Sequence, residues 1–145
     1  MADDARYRLA PVRDVRARTE AHRRGDLASA VGDARETEGA LVAARTRTEL
    51  ADRALADALA WLREPLSLPE RRVIAERFVA RRRRELAELI DAESRAAAAH
   101  DERLGAVDVA RGQLARARAE RELIERHFAR WREARAKLAE RRADD

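Results

Sequence analysis

The chain has 145 residues, of which 41% are charged and only 3% aromatic, with a net charge of +4. Most of the 46% counted as hydrophobic is alanine, which buries little area per residue, so a thick globular core is excluded and a thin two-helix interface with solvated outer faces remains. Cysteine is absent, which excludes a disulfide framework and a cysteine-based metal site and fits a reducing compartment.

From the N-terminus, Met1 to Arg8 is charged and lacks the apolar stretch of a signal peptide. No apolar run approaches the roughly 18 residues of a membrane-spanning helix. The expectation is a soluble, cytoplasmic protein. The bias to arginine (Lys137 is the only lysine) and the alanine load suit GC-rich bacterial coding.

Pro11 sits where a first helical turn tolerates proline. No proline follows until Pro65 and Pro69, four residues apart, and none occurs after them. Helix one is therefore expected from about residue 11 to 63, roughly 75–80 Å at 1.5 Å per residue. A tip covers 64–67. Ser67-Leu68-Pro69-Glu70 has the capping-box pattern, in which the serine accepts from the amide three residues on and the glutamate reaches back. Ser67 is thus placed at the N-cap of helix two, expected over about 68–141, roughly 110 Å by the same rise. So short a connection makes the two helices antiparallel neighbours. The predicted fold class is all-α: a single coiled-coil hairpin over 1–145, with the second helix longer than the first.

Helix one shows a 4,3 spacing from Leu27 through Val31, Ala34, Glu38, Leu41, Arg45, Thr48, Asp52, Leu55, Leu59 and Leu62. Its middle is polar and competes with a stripe of Val42, Thr46 and Leu50. This predicts a drifting seam, not a strict heptad repeat. Helix two carries Leu104, Val107, Arg111 and Leu114, then, after a three-residue slip, Ala117, Arg121, Ile124, Phe128, Trp131, Arg135 and Leu138. Acid-first pairs four apart support the exposed faces: Asp14–Arg18, Glu20–Arg24, Glu49–Arg53, Asp91–Arg95, Glu122–Arg126 and Glu133–Lys137, at about 0.3 kcal/mol each.

A turn near Ser67 pairs residues whose numbers sum to about 134. Tyr7 should then lie near His127 and Phe128, Leu27 near Val107, and Leu55 near Val79. Helix two overhangs helix one, and the free ends gather Tyr7, Leu9, Phe128 and Trp131. At the tip stand Trp61, Leu62, Leu66 and Leu68, with Arg71 and Arg72 close by. Either the terminal aromatics form an exposed binding surface, or Tyr7 and Leu9 fold over them.

Charge is uneven. Up to Leu62 there are 11 basic and 11 acidic residues; after it, 21 face 17. The densest basic cluster is Arg81-Arg82-Arg83-Arg84, with Arg71, Arg72 and Arg77 upstream. Four successive residues point all around a helix, and only Phe78 offers stacking nearby, so a nucleic-acid role is the lesser reading. Gly25, Gly32 and Gly39 recur every seven residues, as do Gly105 and Gly112, on the outer face, each at about 1 kcal/mol of helix stability.

Catalysis finds no support. His22, His100 and His127 are far apart, and none has the glutamate three residues before it of a di-metal bundle. Phosphate loops and nucleophile elbows are missing, and a thin hairpin offers no sheltered pocket. The expectation is a protein without enzymatic activity, cofactor, metal or small-molecule substrate that works by binding other proteins.

Tyr7-Arg-Leu-Ala-Pro-Val-Arg-Asp-Val-Arg16, followed by Glu20, resembles the opening of the flagellar export protein FliJ and its injectisome counterpart YscO. Glu125-Arg-His-Phe-Ala-Arg-Trp-Arg-Glu-Ala-Arg-Ala-Lys137 resembles their closing segment, and total length and central break match. The compact Pro65–Pro69 tip and the short tail after Lys137 depart from the family and leave flagellum against injectisome open. The resemblance implies a two-helix stalk peripheral to the inner-membrane export apparatus. Such a stalk binds the hexameric export ATPase and links it to the cytoplasmic domain of the export gate; flagellar members also handle secretion chaperones. Carried over by position, Tyr7, Leu9, Ile124, Phe128 and Trp131 would face the ATPase, and Trp61, Leu66, Leu68, Arg71 and Arg72 the gate. The residues alone also admit a coiled-coil scaffold or chaperone-like binding protein and, as the lesser reading, a nucleic-acid-associated coiled coil.

Overall fold

Alanine, arginine, glutamate and leucine are strong helix formers, and they fill both long proline-free stretches of this chain. The computed structural model describes residues 6–65 and 68–144. Two helices account for nearly all of them: α1, Ala10–Arg63, and α2, Pro69–Asp144. They pack against each other as an antiparallel hairpin, with α2 the longer, and no strand occurs among the described residues. The fold class expected from proline placement is the one observed.

The boundaries follow from local chemistry. Pro11 lies in the first turn of α1 and Pro69 opens α2, where a missing amide proton costs no hydrogen bond. The residue before a proline is pushed out of the helical region, and α1 stops at Arg63, just ahead of Glu64 and Pro65. A tightened turn closes it, with the Glu64 amide donating to the Trp61 carbonyl at 3.2 Å. Glu70 in the first turn of α2 and Arg141 and Arg142 in its last complement the helix dipole. The cap assigned to Ser67 lies outside the described residues, as does Leu66.

Two compact units divide the hairpin, one of Gly32–Gly105 and one of Met1–Val31 with Ala106–Asp145. In the first, Ala34, Leu41, Ala44 and Ala58 of α1 and Ala75 and Val79 of α2 are buried. The seam here is regular, which corrects the expected drift. Glu38, Arg45 and Asp52 are exposed, while Thr37, Ala44 and Ala51, each one position earlier, turn inward. Thr37, Leu41, Ala44, Thr48, Ala51, Leu55, Ala58 and Leu62 then keep a strict seven-residue repeat. The physical reason is size: small side chains let the helices approach, and long charged ones swing to solvent. Val42 and Leu50, of the competing stripe, are 56% and 58% exposed.

In the terminal unit Val107, Ala110, Leu114 and Ala117 are buried in an unbroken repeat. The expected slip before Ala117 is absent, because Ala110 takes the place given to Arg111 and the seam passes Leu104 by, leaving it 45% exposed. Register also differs from expectation over part of the chain. Tyr7 meets His127 and Phe128 as predicted. Thr37, however, meets His100 (Oγ1 to Nδ1, 3.1 Å), not Ala97, and Thr48 donates to the carbonyl of Leu89 (3.4 Å), not Leu86. All five glycines stand on outer faces, with nothing within 4 Å of where a Cβ would sit.

Candidate partner-binding surfaces

In the terminal unit the α1 positions that continue the seven-residue repeat toward the N-terminus are Arg13, Arg16, Glu20 and Arg23. Charged side chains at seam positions need partners across the interface, and each has one. Arg13 Nε donates to Glu125 Oε1 at 2.8 Å, Arg16 to Glu120, and Arg23 Nη1 to Gln113 Oε1 at 3.1 Å. Glu20, only 6% exposed, accepts from Arg121 at 2.9 Å and Arg24 at 2.7 Å, with Arg118 at 3.8 Å. It is covered by arginine side chains and not by apolar core. The hydrogen bond from Arg121, then the charges of Arg121, Arg24 and Arg118, hold its carboxyl below the usual glutamate range. The hydrogen bond from Arg13 lowers Glu125 likewise, and Glu125 in turn raises Arg13.

Next to this ionic ladder lies the aromatic group. Tyr7 is buried, its hydroxyl 2.8 Å from His127 Nδ1. Its ring meets Phe128 edge-on at 5.0 Å and leans on Trp131 at 5.3 Å, and Phe128 and Trp131 stack at 5.8 Å. The Arg13 guanidinium lies 4.3 Å over the Phe128 ring, within cation–π range. Of the two residues expected to fold over the aromatics, Tyr7 does so and Leu9 remains exposed. Ile124, Phe128 and Trp131 are half-buried. A cleft of about 340 Å³ runs between Arg6, Tyr7, Arg8, Leu9, His127 and Trp131. Beyond Arg135 every described residue of α2 is exposed, Leu138 included. The surface therefore offers apolar edges, a cleft rimmed by arginine, and a length of helix uncovered on every side.

At the turn, Trp61 packs edge-on against Phe78 at 6.0 Å, with Arg82 at 4.9 Å and Arg81 at 5.7 Å over the Phe78 ring. Trp61 is half-buried; Leu68, Arg71 and Arg72 are exposed, and Arg72 reaches Glu76 at 3.3 Å. The arginine run is not uniform: Arg82 turns inward and pairs with Glu85 at 2.7 Å, while Arg81, Arg83 and Arg84 face solvent.

Comparison with protein-family models, curated proteins and solved structures finds no match. Among the described residues no three histidine, aspartate or glutamate side chains gather as a metal site, and no helix is long and apolar enough to cross a membrane. Of the six acid-first pairs read from the sequence, Glu20–Arg24 and Glu122–Arg126 form. The ladder across the interface was missed, because Arg13, Arg16 and Glu20 look like solvated helix charges until the seven-residue count is carried past Leu27. That count was the available signal.

Proposed function

We propose that this chain is a non-enzymatic coupling component of a bacterial type III protein export apparatus, flagellar or injectisome. It binds the hexameric export ATPase through its terminal surface and the cytoplasmic domain of the export gate through the turn. Support comes from the resemblance of the two terminal segments to the FliJ and YscO proteins, and from one structural observation. Those two segments, far apart in sequence, meet: Tyr7 packs on Phe128 and Trp131. The aromatic anchors are thereby pre-organised, which lowers the ordering cost of binding, and the uncovered last turns of α2 extend the contact. Ile124 lies half-buried below this group and Leu9 stands exposed at its edge. At the turn, exposed Leu68, Arg71 and Arg72 beside Trp61 give the gate an apolar and basic contact.

The test is ATP hydrolysis by the export ATPase of the same organism, with and without this chain. Stimulation is expected, with co-elution of the two proteins. A Phe128→Ala/Trp131→Ala variant should lose both while keeping its helical circular dichroism, since loss of aromatic anchors typically costs 2 kcal/mol or more of binding. Absence of stimulation and of co-elution would give first place to a scaffold or chaperone-like coiled coil.

A further inference from the structure

The outer face of the first turns of α2 concentrates arginines beside exposed aliphatic side chains. Val73, Arg77, Ala80 and Arg84 follow one another at four-three-four spacing, and Ile74, Arg77, Arg81 and Arg84 at three-four-three. Residues so spaced share one face. It is turned away from the seam, which Ala75, Val79 and Arg82 occupy. Val73 and Ile74 are 46% and 59% exposed. The two acidic residues that border this face, Glu76 and Glu85, pair with Arg72 and Arg82 and not with its arginines. Among the described residues no carboxylate lies within ion-pair distance of Arg77, Arg81 or Arg84, although Arg72 and Arg82 nearby are both paired. Unpaired arginines beside uncovered aliphatic side chains form a surface with two complementary needs, a dense array of anions and an apolar layer just beneath it.

We propose that this face docks on an anionic lipid bilayer surface, with the arginines on the phosphate headgroups and Val73 and Ile74 sunk below them. Guanidinium forks match phosphate oxygens, and basic side chains near an anionic leaflet add their attractions. The outer surface of a helix is convex, so it cannot enclose a peptide, whereas a fluid headgroup layer conforms to it. A nucleic-acid strand would need aromatic platforms. The two aromatics of this unit, Trp61 and Phe78, pack on each other. The inference does not depend on the export reading, since it concerns lipid alone.

The test is co-sedimentation of the full chain with phosphatidylcholine vesicles, with and without phosphatidylglycerol, at low and moderate salt. Binding is expected only with phosphatidylglycerol and should weaken as salt rises. Arg77→Gln/Arg81→Gln/Arg84→Gln should weaken it on the order of a hundredfold at low salt. Arg116→Gln/Arg130→Gln/Lys137→Gln, equal in charge and also exposed, should leave most of it. Val73→Ser/Ile74→Ser should leave a weaker binding that salt abolishes. Circular dichroism of each variant shows that the helices persist. Absence of vesicle binding, equal binding to neutral vesicles, or equal losses in the two charge variants would overturn the proposal. So would capture of an oligonucleotide in place of vesicles through the same three arginines.

Discussion

The two units of this hairpin use one repeat for opposite purposes. In Gly32–Gly105 the positions facing across the interface include Ala34, Leu41, Ala44 and Ala58, and burial of apolar area holds the helices together. In the terminal unit the equivalent α1 positions are Arg13, Arg16, Glu20 and Arg23, and cross-helix hydrogen bonds and ion pairs take over. Apolar packing contributes more per residue; exposed ion pairs contribute little but tie each residue to a particular partner. A seven-residue repeat thus sets which residues meet and leaves open how strongly they hold. The unit that carries the aromatic surface is the one whose α1 seam is charged.

The largest expected effect tests the packed side. Leu41→Ala removes one of the few large buried side chains of the Gly32–Gly105 unit and should cost about 2 kcal/mol, the low end for a leucine whose site can partly collapse. Urea unfolding followed by circular dichroism measures it. Hydrogen exchange should locate the loss around Leu41 and not around Tyr7; an even loss through both units would dissolve the contrast.

Acid should act on the other side. The carboxyls of Glu20 and Glu125 are held below the ordinary glutamate value of 4.5. A lowered folded-state value means stability that is present above that range and lost as pH falls through the lowered values. Each unit has one tryptophan, Trp61 and Trp131, so in a Trp61→Phe variant the fluorescence of Trp131 reports the terminal unit. Between pH 5 and pH 2 that signal should change before overall helicity falls. Glu20→Gln should weaken the terminal unit at neutral pH and flatten part of this acid response. A Trp131 signal that follows global unfolding in both proteins would count against the ladder.

Salt should give a smaller separation in the same direction. Raising ionic strength shortens the screening length, so exchange near Arg13 and Arg16 should quicken more than exchange near Leu41. The smallest effect has the opposite sign. Gly32→Ala and Gly39→Ala, at open positions, should each stabilise by at most about 1 kcal/mol, read as a rise in Tm.

Much of this was legible in the residues. Pro65 and Pro69 placed the turn, composition gave two helices, and a count from the turn brought Tyr7 to His127 and Phe128. The seam is less legible, because the larger side chains do not mark it. Leu104, Val42 and Leu50 are large and exposed; Ala44, Ala51 and Ala110 are small and turned inward. In a two-helix interface, close approach selects for smallness as much as for apolarity, and hydrophobic periodicity registers only the second. The ladder was hidden for a related reason: an arginine at a seam position has the same composition as one on the surface. Of the candidate site residues, Tyr7, Phe128 and Trp131 are brought together and Trp61 acquires Phe78; no sequence pattern anticipated that last pair.

An interface built of alanine at regular intervals carries a particular hazard, because sliding one helix past the other by seven residues restores nearly the same contacts. Glu20 removes that degeneracy. Displaced by one repeat, Arg121 would give way to Leu114 or Phe128 opposite Glu20, and a carboxylate that is almost fully covered would exchange its nearest donor across the interface for an apolar side chain. The cluster around Glu20 therefore acts as a detent. A pull on the free end of α2 can loosen the Tyr7 contacts, but to advance the helix by a full step it must first break the contacts of one carboxylate with the two arginines across from it, Arg118 and Arg121.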